Sequence, residues 1–333
     1  MIREVDEQYF DFIQSAYAPS TAANFKRESL NFINFCIAHC LEIYPPDVMN
    51  IARYLTVSLQ NITSHSTLMN KISSLKKFYA LSGYTVPADH PILLLLTRAS
   101  RRELSITARP KAPVEPGHII LIGKMIDGAN PLHILFYVAL NIQFFTCIRK
   151  SNLLPPSVRA YSPFHHLSRG DLHFVPGALI VTLPWTKTIQ GKEDILTLSI
   201  VDAPGAVLDP VGEYRNFILR FPPPAQTVPA FSIIDASRVT VLTQPVYIDL
   251  LKQFLARLGL PPESFSSHSL RRGSATCMAQ SGVSNKLIQF QGGWKSHCYE
   301  KYITVMQKDR LIPTQKMIEH INITYGNTSV GIE

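Results

Sequence analysis

The sequence predicts a mainly α protein with a small antiparallel β-sheet, built as two domains. Three observations carry this reading. Apolar residues at helical spacings of three and four recur through the first third of the chain and again from residue 244 onward. One stretch between them, residues 171–200, alternates instead and is rich in Val, Ile, Leu and Thr. A segment at residues 105–118, SITARPKAPVEPGH, holds three prolines and two cations with almost no apolar periodicity, which marks a linker. At 333 residues, 46% apolar and 17% charged, the chain can build a substantial core in each of two globular domains. The expected division is a helical domain over 1–106, a linker over 107–118 and a larger domain over 119–333 that ends in a tail.

In the first domain, SLNFINFCIAHC places Phe32, Phe35, Cys36 and His39 at spacings of three and four, and PST before it is a start signal. YPPDVMNIARYLTVSL opens a second helix after a Pro-Pro turn. SHSTLMNKISSLKKFYALSGY forms a third, with Leu68, Ile72, Leu75 and Tyr79 as the buried stripe and Gly83 as the stop. Lys71, Lys76 and Lys77 fall outside that stripe and are either a solvated face or phosphate contacts. Beyond the linker, HIILIGKMI and PLHILFYVALNIQFFTCIRKSNLL read as helices. The alternating stretch then folds as an antiparallel meander with KTIQGK at a hairpin tip. QPVYIDLLKQFLARLGL resumes the helical pattern. The chain has no internal repeat and no low-complexity tract.

The net charge of +8 is uneven. Residues 1–105 hold 10 Lys/Arg against 9 Asp/Glu, whereas residues 106–333 hold 22 against 15, so +7 lies in the larger domain. That excess suggests a polyanionic partner, although many basic enzymes share it. The five cysteines are odd in number and lack C-x-x-C spacing, which argues for reduced core thiols and against a zinc site or a disulfide framework. The start of the chain has no signal-peptide core, and PILLLLTRAS is too short to span a bilayer, so a soluble intracellular protein without a membrane partner is expected.

Candidate site residues come from separate segments. Arg149 closes an almost wholly apolar helix, where a cation is costly unless it meets an anion or a buried acid. Lys187 stands near the hairpin tip. His268 and Arg271 lie one helical turn apart at a helix start after FSS. Trp294 follows a Gly-Gly turn, and Tyr299 and Tyr302 lie three apart in a short helix capped by Ser296. Singly, each has a plain alternative: a salt-bridged core arginine, a solvated lysine, a chance H-x-x-R pair, a core tryptophan. Together they form an ordered series.

That series resembles the tyrosine recombinase (phage integrase) family from about residue 15 to residue 303. The family pattern is Arg, a hairpin Lys, His-x-x-Arg, His or Trp after a glycine, then Tyr. The matching positions are Arg149, Lys187, His268, Arg271, Trp294 and Tyr302. The run HSLRRGSAT…GVS…I…GGW looks like Cre, and GGWKSHCYEKYI is closer still to the recombinases of eukaryotic Crypton and DIRS-like mobile elements. PSTAANFKRESLNFINFC and the segments after it look like the family's helical, SAM-like core-binding domain. On that resemblance Lys71, Lys76 and Lys77 become DNA contacts. Two departures stand out. The Trp-to-Tyr interval is eight residues where many members have nine, which leaves Tyr299 open as an alternative nucleophile. Asn152 occupies the place of the acid that most members carry three residues after the first arginine.

The resemblance implies a two-domain clamp on double-stranded DNA, with an α/β catalytic domain following the helical one. It implies site-specific cleavage and rejoining through a 3′-phosphotyrosine, without ATP, metal or other cofactor and without a small-molecule substrate. Two guanidiniums would hold the non-bridging oxygens of a phosphodiester, His268 would assist proton transfer from the phenol, and Lys187 would protonate the departing 5′-oxygen. Trp294 would offer its indole N–H to the phosphate and buttress it. A homotetramer on two duplexes, a nuclear location and integration or excision of a mobile element complete the expectation. The competing expectations are a domesticated, non-catalytic DNA-binding protein on the same fold and a type IB topoisomerase.

Overall fold

A computed structural model describes residues 19–87, 89–104, 111–183, 185, 195–234, 239–294 and 296–303. It divides into two compact units, Met1–Pro110 and Lys111–Glu333. As predicted, the fold is mainly helical with small antiparallel sheets.

Among the described residues the first unit holds four helices: α1 (Pro19–Ala38), α2 (Val48–Leu59), α3 (His65–Leu81) and α4 (Pro91–Glu103). Their starts follow local chemistry. The Asp47 carboxylate accepts from Met49 N at 2.7 Å, the Ser64 hydroxyl accepts from Thr67 N, and Pro91 needs no N–H at the first position of α4. Gly83, at φ 81°, turns the chain after α3. Leu68, Ile72, Leu75 and Tyr79 are all buried and pack against Phe32, Cys36 and Leu55, so the predicted stripe on α3 is the centre of this core.

Lys71 has a partner within the bundle. It turns inward, where its ammonium lies 2.7 Å from Glu28 Oε1 and donates also to Tyr54 Oη at 3.4 Å. Tyr54 bonds the same carboxylate at 2.6 Å. Glu28 is a buried acid, and its charge requires this cation. Lys76 and Lys77 are half-buried on α3.

The second unit is built around α6 (Pro131–Thr146). Ten of its sixteen residues are buried, so it is a core helix without a polar face. Helices α5 (Pro116–Gly123), α8 (Pro210–Arg220), α9 (Gln244–Arg257) and α10 (Ser269–Gln280) pack around it, and the short α7 (Lys150–Leu153) and α11 (Asn285–Gln291) follow α6 and α10. The meander is present as β1 (Leu172–Val175), β2 (Ala178–Leu183) and β3 (Leu196–Val201), antiparallel in that order. The β2–β3 ladder runs from Ala178↔Val201 to Leu183↔Leu196, and KTIQGK lies outside the described residues. A second sheet pairs β4 (Ser232–Ile234) with β5 (Val239–Val241). Buried Arg169 serves it structurally, donating to Ser232 O at 2.6 Å with its guanidinium over Phe217.

The expected linker ends earlier than residue 118. Ala112 N donates to Ser264 O, Val114 N donates to Ser269 O, and the Val114 side chain is fully buried in the larger unit. Helix α5 already begins at Pro116, with Glu115 N bonded to His118 Nδ1. Of the prolines that suggested a loop here, Pro116 occupies the first position of a helix. Among the described residues no helix is long and apolar enough to cross a membrane.

Candidate active site

Three chain segments converge on the start of α10. The first leaves α6 through Cys147, whose φ of 54° is left-handed for a residue with a side chain. That turn aims the Cys147 carbonyl inward and places Arg149 at the start of α7, half-buried. Gln143 secures it by donating to Ile148 O at 3.1 Å while accepting from Tyr247 Oη at 2.6 Å.

Arg271 lies in the first turn of α10 and is 1% exposed. Its guanidinium donates to the carbonyls of Cys147 and, at 3.0 Å, Gly292, and Cys147 Sγ returns a weak bond to Arg271 O. Its charged face lies 4.4 Å from the Trp294 ring centroid and 5.5 Å from that of Tyr302. Burial, and then the Arg271 charge, pull the Arg149 guanidinium below its usual pKa. Among the described residues no carboxylate is paired with Arg149 or Arg271. Two adjacent, largely desolvated cations with no acid among the described residues paired to them form a site suited to an anion.

The Gly-Gly turn has a steric cause. A methyl group on Gly292 would stand 1.8 Å from the Trp294 ring, and Gly293 adopts φ 60°. These glycines let the indole fold back over Arg271. The chain then enters a 3₁₀ turn, His297–Lys301, started by Ser296. Tyr299 is 2% exposed and packs on Trp294. Tyr302 stays half-buried, with its hydroxyl 3.2 Å from His268 Nδ1 and its ring 5.2 Å from Trp294. His268, at the N-cap of α10, is exposed.

Arg149, His268, Arg271, Trp294 and Tyr302 therefore surround one site, and Lys187 lies outside the described residues. Sequence reasoning missed the backbone acceptors that hold Arg271, because a carbonyl leaves no residue signature. It also missed a cavity of about 730 Å³ flanking the site, lined by Lys111, Lys150, Lys252, Gln244, Ser266 and Ser267 together with Asp249 and Glu263. Lys150 bonds Gln244 Oε1 at 2.7 Å, and burial lowers its pKa.

No family model matches the sequence. The integrase/recombinase XerD homolog of Selenomonas ruminantium is 22% identical over 300 residues, which cover 85% of this chain and 81% of the homolog. Among solved structures, the Tn1549 transposon integrase in complex with transposon right end DNA is similar with a TM-score of 0.63 at 16% identity, covering 95% of this chain and 99% of that one. The XerH site-specific recombinase bound to palindromic difH substrate, in a post-cleavage complex, gives 0.60 at 13%, covering 90% and 80%. A lambda integrase dimer bound to a COC′ core site gives 0.56 at 15%, covering 91% and 95%.

Proposed function

We propose that this chain, a tyrosine recombinase/integrase by its relatives and its fold, is a site-specific DNA recombinase that works through a 3′-phosphotyrosine. The observation that carries the reading is the Tyr302 hydroxyl 3.2 Å from His268 Nδ1, beside two arginines that no carboxylate among the described residues pairs with. In the reaction, Arg149 and Arg271 bind the non-bridging oxygens of the scissile phosphate and stabilise charge that builds there. The phenol, a weak nucleophile while protonated, passes its proton toward His268 as its oxygen bonds to phosphorus. The bond from phosphorus to the 5′-oxygen breaks, and the Lys187 ammonium supplies the proton that leaves with it. Attack by a 5′-hydroxyl on the phosphotyrosine reverses these events and reseals a strand, so no outside energy source is required.

Lys76 and Lys77 are proposed as backbone contacts, with the lysine-lined cavity beside the site as a seat for flanking phosphates. Integration or excision of a mobile element, a homotetramer on two duplexes and action in the nucleus belong to the same proposal. The GGWKSHCYEKYI ending supports a place near the Crypton and DIRS-like recombinases. The test is a nicked duplex carrying the element's own termini. Wild type should form a covalent adduct at a unique phosphate, and Arg149→Ala should slow its formation roughly 100- to 1,000-fold, as expected for loss of one preorganised donor. Tight binding by wild type without any adduct would instead support a non-catalytic DNA-binding protein.

A further inference from the structure

The carbonyls where α6 gives way to α7 are held by side chains from three helices. Gln291 Nε2 donates to Phe145 O at 2.8 Å, Arg271 donates to Cys147 O, and Gln143 Nε2 donates to Ile148 O at 3.1 Å. Gln143 differs from the others in where it sits. It lies inside the core helix, fully buried, where an amide is costly unless both its ends are bonded. Its oxygen accepts from the Tyr247 hydroxyl at 2.6 Å, and Tyr247 on α9 is fully buried as well. Burial raises the Tyr247 pKa, so its phenol stays a donor. The bond that leaves this pair goes to Ile148 O. A peptide unit is planar, so fixing that carbonyl also fixes the N–H and Cα of Arg149. Just upstream, Cys147 takes φ 54°, which a residue with a side chain adopts only where its surroundings impose it. Helix α9 braces the far end of α7 too, since Gln244 Nε2 donates to Leu154 O at 2.8 Å and Gln244 N to Pro155 O at 2.9 Å. The short segment that carries Arg149 is thus gripped from both ends by one helix.

We propose that Tyr247 and Gln143 are a positioning pair, which fixes the Ile148–Arg149 peptide and so aims the Arg149 guanidinium at the scissile phosphate. The inference rests on the proposed role of Arg149 in binding that phosphate. Both residues are enclosed in the core and act through the arginine.

The test is a set of double-mutant cycles, read as the rate of covalent adduct formation on a nicked duplex. Tyr247→Phe takes the donor from the buried Gln143 oxygen and frees the amide to turn. Gln143→Met deletes the bond to Ile148 O at similar volume, and serves as the second variant should the first fold poorly. Each should slow adduct formation about 10- to 100-fold, the effect of a misplaced catalytic group. Duplex binding, measured by fluorescence anisotropy, should stay within about threefold of wild type. On an Arg149→Ala background, either substitution should slow the reaction at most about threefold further, because the group it positions is gone. On a His268→Ala background, which keeps Arg149, the full factor should return. Three results would overturn the inference: no slowing on the wild-type background, the full factor on Arg149→Ala, or loss of duplex binding by both variants, which would make the pair a support of the fold alone. Absence of any adduct with wild type would instead overturn the recombinase reading, and the inference with it.

Discussion

Gly273 stands two residues beyond Arg271 in α10, and the substitution Gly273→Ala probes how that helix is held. A methyl group there would lie 1.7 Å from the carbonyl oxygen of Val114 and 2.7 Å from its carbon. Both atoms are backbone, in a segment pinned by Ala112 N to Ser264 O at 2.8 Å and Val114 N to Ser269 O at 3.0 Å. The segment or the helix must therefore move. Overpacking of this kind costs about 1–3 kcal/mol. Loss of the two backbone bonds adds roughly 1 kcal/mol each. Alanine recovers at most about 1 kcal/mol through its better helix propensity. The net loss is about 2–4 kcal/mol, or roughly 5–15 °C in Tm for a unit of this size. Gly117→Ala is the control, because Gly117 lies in α5 with nothing within 4 Å of its added methyl. It should leave Tm unchanged or raise it slightly. Thermal melts of both variants, followed by circular dichroism, decide the matter. Gly273→Ala melting within a degree of wild type would refute the packing of residues 111–114 against α10. Because α10 also carries His268 and Arg271, adduct formation should fall in Gly273→Ala even at temperatures where the protein stays folded.

The buried triad in the first unit separates stability from DNA contact: Lys71→Ala should cost about 1.5–3 kcal/mol in urea unfolding, the range for a hydrogen bond to a charged group. It should leave the salt dependence of DNA binding unchanged, while Lys76→Ala and Lys77→Ala each reduce the slope of log K against log salt by about 0.9. An equal slope change for Lys71→Ala, measured by fluorescence anisotropy, would place that lysine on DNA after all. His166 is buried with its Nδ1 against Ser162 N at 3.1 Å, and burial depresses its pKa. A depressed histidine contributes stability that is present above its unfolded pKa and lost as pH falls through about 6.5 and below. Wild-type Tm should drop between pH 7.5 and 5.5 by more than that of His166→Asn, and parallel curves would contradict the assignment.

Long elements with strong periodicity were legible in the sequence. The α3 stripe of Leu68, Ile72, Leu75 and Tyr79 is buried as expected because nothing in the bundle competes with its 3.6-residue period. The meander was legible for the same reason, its alternation surviving as the buried positions Leu196, Leu198 and Ile200 of β3. Strands β4 and β5 span three residues each, too short for any period, and passed unnoticed. Helix α8 had a usable signal in Asp209 before Pro210, since the carboxylate caps Gly212 N at 2.8 Å. The partner of Lys71 was not legible, because periodicity places a residue on a face but does not reveal a buried acid on a neighbouring helix. At the site, the order of charged and aromatic residues singled out Arg149, His268, Arg271, Trp294 and Tyr302, which the structure brings together, whereas the left-handed turn at Cys147 was invisible. Cysteine has no preference that would announce it.

The most direct measurement of the central claim is covalent capture on a nicked suicide substrate, with the attachment residue read from the two tyrosine variants. The Tyr302 hydroxyl approaches His268, while Tyr299 is buried against Trp294. Tyr302→Phe removes the attacking oxygen and should abolish the protein–DNA adduct. Tyr299→Phe should keep it, slowed at most by altered packing around the indole. The reverse pattern would move the nucleophile to Tyr299, and an adduct that survives both substitutions would contradict tyrosine-mediated strand transfer by this protein.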